Sequence, residues 1–95
     1  MNKSKREPRV GDIWIMRFPY HTPGSMEKVR PGIIIDFKND FKVVVQKLTT
    51  KKKKGNKLFT HPKLKRVTYL STDKEVIYED SLIRYIGNNN NRKVI

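Results

Sequence analysis

The stretch Arg30-Pro31-Gly32-Ile33-Ile34-Ile35-Asp36 decides how this chain is read. Three consecutive isoleucines are apolar and β-branched, and together they describe a strand buried on both faces. Pro31 has no N–H to give to a ladder, so it belongs at the strand's first residue or on an edge. It also pushes Arg30 toward an extended backbone. The guanidinium is then held at the mouth of a sheet, where its planar fork suits a bidentate grip on phosphate. An ordinary surface arginine beside a strand fits the same residues.

Strand signals continue on both sides of this stretch. Ile13 to Phe18 alternates, with Ile13 and Ile15 on one face and Trp14, Met16 and Phe18 on the other. Pro19 ends it. Tyr20 to Val29 carries Pro23, Gly24 and Ser25 and reads as a loop. Gly32 to Asp36 is the second strand, Asn39-Asp40 a hairpin turn, and Lys42 to Leu48 the third strand. Lys51 to Lys54, closed by Gly55-Asn56, reads as a mobile loop because adjacent like charges repel. Leu58 to His61 is a short extended piece. Lys65 to Leu70 and Glu75 to Tyr78 are strands separated by a turn at Ser71 to Lys74. Asp80-Ser81 breaks the run, and Leu82 to Ile86 resumes it. Sustained helical periodicity is missing throughout. The expected fold is therefore mainly β, a small antiparallel barrel with little helix. Its predicted extent is 11–87, after a flexible basic arm over 1–10 and before a polar tail over 88–95.

Ninety-five residues suit one domain with one modest core. The chain has no cysteine, which excludes disulfides and thiolate metal sites and makes a cytoplasmic protein the simplest expectation. No apolar run is long enough to span a membrane, and none follows the basic start as a secretory signal would require. Charge is more telling. Lys and Arg number 22 against nine Asp and Glu, a formal +13. From Lys47 to Arg66 there are nine basic residues and no acidic one, whereas four of the nine acids fall between Asp73 and Asp80. Such a block attracts polyanions and releases their counterions, so nucleic acid is the expected partner. A merely solubilising tract would have the same composition.

Several side chains have chemistry that fits this expectation. Lys28, Lys51, Lys52, Lys53, Lys54 and Lys57 suit phosphates without reading sequence. Tyr20 sits in a loop next to a strand end and is the candidate for stacking an unpaired base. Trp14, Phe18 and Tyr69 could stack too, but a small barrel needs most of its aromatics in the core. His61 and His21 carry imidazoles, the side chain most used for proton transfer at physiological pH, and are candidate proton-transfer groups; solvent-exposed histidines fit equally well. Neither forms a recognisable metal motif, and no cofactor is expected.

Taken in order, four segments make the chain resemble the MazF/PemK family of toxin endoribonucleases. They are Gly11-Asp12-Ile13-Trp14, Arg30-Pro31 before an aliphatic strand, Leu48-Thr49 at the next strand's end, and Leu82-Ile83-Arg84-Tyr85-Ile86. The resemblance implies an SH3-like barrel that forms a homodimer. It implies metal-independent cleavage of single-stranded RNA by 2′-hydroxyl attack, leaving a 2′,3′-cyclic phosphate. It maps the essential arginine onto Arg30 and the essential threonine onto Thr49, with Thr50 as the register alternative. It also implies a small antitoxin protein as partner. The chain departs from the family in its lysine-rich loop, in lacking a C-terminal helix, and in Val67 to Tyr78, which reads as an extra or extended hairpin. A non-catalytic SH3-like module that binds nucleic acid or protein, such as one from a mobile element, is the alternative.

Overall fold

A computed structural model describes residues 7–18 and 28–88. Six strands form one antiparallel sheet: β1 (Asp12–Phe18), β2 (Lys28–Phe37), β3 (Lys42–Thr49), β4 (Lys57–Phe59), β5 (Thr68–Tyr78) and β6 (Leu82–Asn88). Their order in the sheet is β4-β5-β3-β2-β1-β6. A 3-10 turn, Glu79–Ser81, joins β5 to β6. The expected mainly-β, small antiparallel barrel is what forms. Among the described residues no helix is long and apolar enough to cross a membrane.

Apolar clusters cover both faces of the curled sheet. Trp14, Met16 and Phe18 pack with Ile34, Val43, Val45, Ile77 and Leu82 on one side. Ile13, Ile33, Leu48 and Phe59 pack on the other, with Ile35 and Ile86 against them. The isoleucine run thus feeds both clusters, because successive side chains of a strand point to opposite faces. Gly32 sits between them for a steric reason. A Cβ there would lie 2.8 Å from the sulfur of Met16, so the glycine lets Met16 cross β2.

Pro31 is inside β2 rather than at its start, since the strand begins at Lys28. It is tolerated because the β2–β3 ladder ends at Gly32, opposite Lys47. Beyond that point β2 is paired only with β1, where Pro31 faces Ile15. The proline therefore occupies a local edge within a central strand.

The predicted turn at Ser71 to Lys74 is not a chain reversal, and Val67 to Tyr78 is not a hairpin. β5 runs unbroken through these residues. Leu48 pairs with Leu70 and Gln46 with Lys74, so the single residue Lys47 faces three residues of β5. Ser71-Thr72-Asp73 is a bulge, and turn-type residues mark it because a bulge needs the same local backbone bending as a turn. The Gln46 side chain donates to the Ser71 carbonyl at 3.0 Å, and the Asp73 N–H donates to Ser71 Oγ at 3.1 Å. Both bonds hold the bulge where the ladder is broken.

Order extends past both predicted boundaries. Pro8 is buried, and the Arg9 N–H donates to Asp12 Oδ2 at 2.9 Å. Asp12 is fully buried and also accepts from Trp14 Nε1 and from the Asn88 side chain. Asn88 is thus the last residue of β6 rather than the first of a tail. The proposed strand end at Pro19, most of the Tyr20 to Val29 loop, residues 1–6 of the arm and residues 89–95 of the tail lie outside the described residues.

His61 is buried, not solvent-exposed. The Lys63 N–H donates to its Nδ1 at 3.1 Å, so Nε2 carries the proton and donates to the Asn88 carbonyl at 3.3 Å. This bond joins the segment after β4 to the end of β6, the two outer strands of the sheet. Gly87 makes room for the ring, since a Cβ there would meet His61 Cε1 at 2.7 Å.

A basic cleft as candidate functional site

The face that carries Trp14, Met16 and Phe18 changes character toward one end of the strands. Along β2 it passes from Ile34 through Gly32 to Arg30 and Lys28; along β3 it passes from Val43 and Val45 to Lys47 and Thr49. The alternation that aims the valines into the core aims the later residues, on the same side of the sheet, into a cleft. Lys28, Arg30, Lys47 and Thr49 line it, in a volume of about 320 Å³. Lys51, Lys53, Lys54 and Asn56 close it from the β3–β4 loop, and Ser71, Thr72 and Asp73 close it from the bulge of β5. Among the described residues, six cations and one carboxylate therefore line the cleft, a formal +5.

Arg30 and Thr49 come together because their strands are neighbours and run antiparallel. Arg30 lies near the start of β2 and Thr49 at the end of β3. Both are half-buried. Thr49 Oγ1 accepts the Lys51 N–H at 3.1 Å, which bends the chain into the lysine loop and leaves its own O–H to donate. Thr50, the register alternative, is exposed and does not line the cleft.

Lys47 has two partners. Its ammonium lies 2.9 Å from Glu75 Oε2 and 5.2 Å from the centre of the Phe18 ring. The pair is partly exposed, so its contribution is at most about 1 kcal/mol. It does fix the Lys47 ammonium over the Phe18 ring.

The other expected residues fall elsewhere. Lys52 and Lys57 are exposed and outside the lining, with Lys57 opening β4 opposite Leu70. His61 is not in the lining either, and both of its ring nitrogens are engaged at the β6 junction. Tyr20 and His21 lie outside the described residues. Trp14 and Phe18 are core, and Trp14 meets Tyr85 edge to face at 5.8 Å. Sequence reasoning missed Lys47, Asn56, Ser71, Thr72 and Asp73. The signal for Lys47 was present, since it shares strand parity with Val43 and Val45. The bulge residues were hidden because their composition imitates a turn.

Among the described residues no group of three or more His, Cys, Asp or Glu side chains stands close enough to hold a metal ion. No protein-family model matches the chain, and no curated protein matches it.

Proposed function

We propose that this chain is a metal-independent endoribonuclease of the MazF/PemK toxin type, acting on single-stranded RNA in the basic cleft. The observation that carries the reading is the convergence of Arg30 and Thr49 on one cleft edged by Lys51, Lys53 and Lys54. The lysines draw in the phosphate backbone and release counterions. Arg30 holds the non-bridging oxygens of the reacting phosphate through two parallel N–H donors. The 2′-oxygen attacks phosphorus, the bond to the 5′-oxygen breaks, and a 2′,3′-cyclic phosphate and a 5′-hydroxyl result. The proton of the 2′-hydroxyl is lost, and one is gained by the leaving oxygen. Arg30 acts on the crowded phosphorane through its N–H donors, a contact worth roughly 3–4 kcal/mol. Thr49 donates to a phosphate oxygen or orients the 2′-hydroxyl. The same reading gives the protein a small antitoxin as partner and a homodimer as its assembly.

One observation favours the alternative, a binding module without catalysis. No imidazole lines the cleft among the described residues. Incubating the purified protein with long single-stranded RNA in EDTA, followed by end-group analysis, separates the two. Fragments with cyclic phosphate ends support the nuclease; intact RNA that is nonetheless bound supports the module.

A further inference from the structure

Among the described residues, Asp73 is the one carboxylate lining the cleft, against six cations. Its place there is built in. The bulge that presents it is fixed by the Gln46 side chain on the Ser71 carbonyl and by the Asp73 N–H on Ser71 Oγ. Its carboxylate makes no ion pair among the described residues, although lysines line the same cleft and Lys47 pairs with Glu75 instead. A carboxylate in a phosphate-binding cleft repels the backbone. It is acceptor-only when ionised, so what it can recognise is an N–H or O–H of the bound strand. Ser71 and Thr72 precede it in the bulge and Asn56 lines the same cleft, all three uncharged and able to hydrogen-bond. The cleft therefore divides into lysines that position phosphates and a polar edge that can read a base.

Donor geometry selects the base. The two oxygens of a carboxylate match two adjacent N–H donors. Guanine alone offers them, at N1 and N2. In cytosine and adenine the amino group is next to a ring-nitrogen acceptor, which repels the second oxygen. In uracil the N3–H is flanked by two carbonyls. We propose that Asp73, presented by the β5 bulge, selects an unpaired guanine in the RNA strand bound along the cleft. This rests on the nucleic-acid reading above but not on catalysis.

The test is equilibrium binding of short 2′-fluoro oligonucleotides, which cannot be cleaved by 2′-oxygen attack. A single guanine in an otherwise uniform strand is replaced by inosine, adenine, cytosine or uracil. For the unmodified protein, guanine should exceed the other three natural bases by roughly ten- to hundredfold, with inosine between. Asp73→Asn should level these affinities while binding an abasic strand at least as tightly. Asp73 is exposed, so the variant should keep its melting temperature. Equal binding of all strands by the wild type, or a guanine preference retained in Asp73→Asn, would overturn the proposal. So would an Asp73→Asn protein that loses cleavage of every RNA yet keeps its base preference, since Asp73 would then act on an O–H. Guanine selection without any cleavage leaves this inference standing and removes the nuclease; cleavage with no role for Asp73 does the reverse. If no strand binds, both fail.

Discussion

Arg30 and Thr49 carry the proposed chemistry at the residue scale. Arg30→Ala should lower the rate of RNA cleavage by about 10²–10³-fold, as removal of one preorganised donor does elsewhere. Thr49→Ala should lower it less, because a hydroxyl is a neutral partner. Gel-resolved initial rates in EDTA check both, and an Arg30→Ala protein as active as the wild type would end the assignment. A second residue pair tests the closure of the sheet. Gly87→Ala forces a Cβ to within 2.7 Å of a His61 ring that is hydrogen-bonded at both nitrogens. The ring cannot give way cheaply, so the variant should lose roughly 1–3 kcal/mol. His61→Ala removes the obstacle along with its bonds. The double variant should then be less destabilised than the two single losses added together, as measured by denaturant unfolding. Additive losses would mean that the two residues do not meet.

Strand alternation is what turns these residues into a site at the element scale. β2 and β3 each change from apolar to cationic side chains along one face, and the cleft is the place where that change occurs. The lysine loop adds reach. Replacing Lys51, Lys53 and Lys54 with glutamine should weaken binding of all single-stranded RNAs alike and flatten the plot of log affinity against log salt by up to about 0.7 per lost phosphate contact. Lys52→Gln should change the slope less, since Lys52 does not line the cleft. Equal slopes for the triple variant and the wild type would reduce the loop to a solvated surface. This scale also holds the clearest differences from the sequence reading. A run of Ser, Thr, Asp and Lys was legible as a local bend, but not as a bend inside one strand. That outcome depends on β3, which pairs with β5 on both sides of the bulge.

The whole molecule leaves an edge open. β4 pairs with β5 only at Thr68, Tyr69 and Leu70, so Ser71 to Tyr78 has no strand on its outer side among the described residues. Val76 and Tyr78 are exposed along it. Unpaired edges of this length favour association. We expect a homodimer at micromolar concentration, seen by sedimentation as twice the 11.3 kDa of one chain. A single-chain mass throughout that range would count against it and would weaken the toxin reading, which implies a homodimer. Charge is also segregated at this scale. Glu7, Asp40 and Glu79 gather around the β2–β3 turn, at the other end of these strands from the basic cleft. The resulting field should orient an approaching polyanion toward the cleft.

Apart from Thr49, to which only the family resemblance pointed, periodicity, turn chemistry and charge were enough to make this chain a small mainly-β protein, to place β1, β2, β3 and the hairpin at Asn39-Asp40, and to single out Arg30 and the lysine loop. These are local properties, written into neighbouring residues by the two-residue repeat of a strand and by the conformations that Pro, Asn and Gly allow. Tertiary structure alone decided that Thr49 rather than Thr50 lines the cleft and that His61 is buried where the outer strands of the sheet meet. It also decided that Ser71 to Asp73 bulge into the cleft instead of turning the chain. Each of these depends on register between strands far apart in sequence. One residue's displacement in register exchanges the faces of a strand, and no local signal reports it.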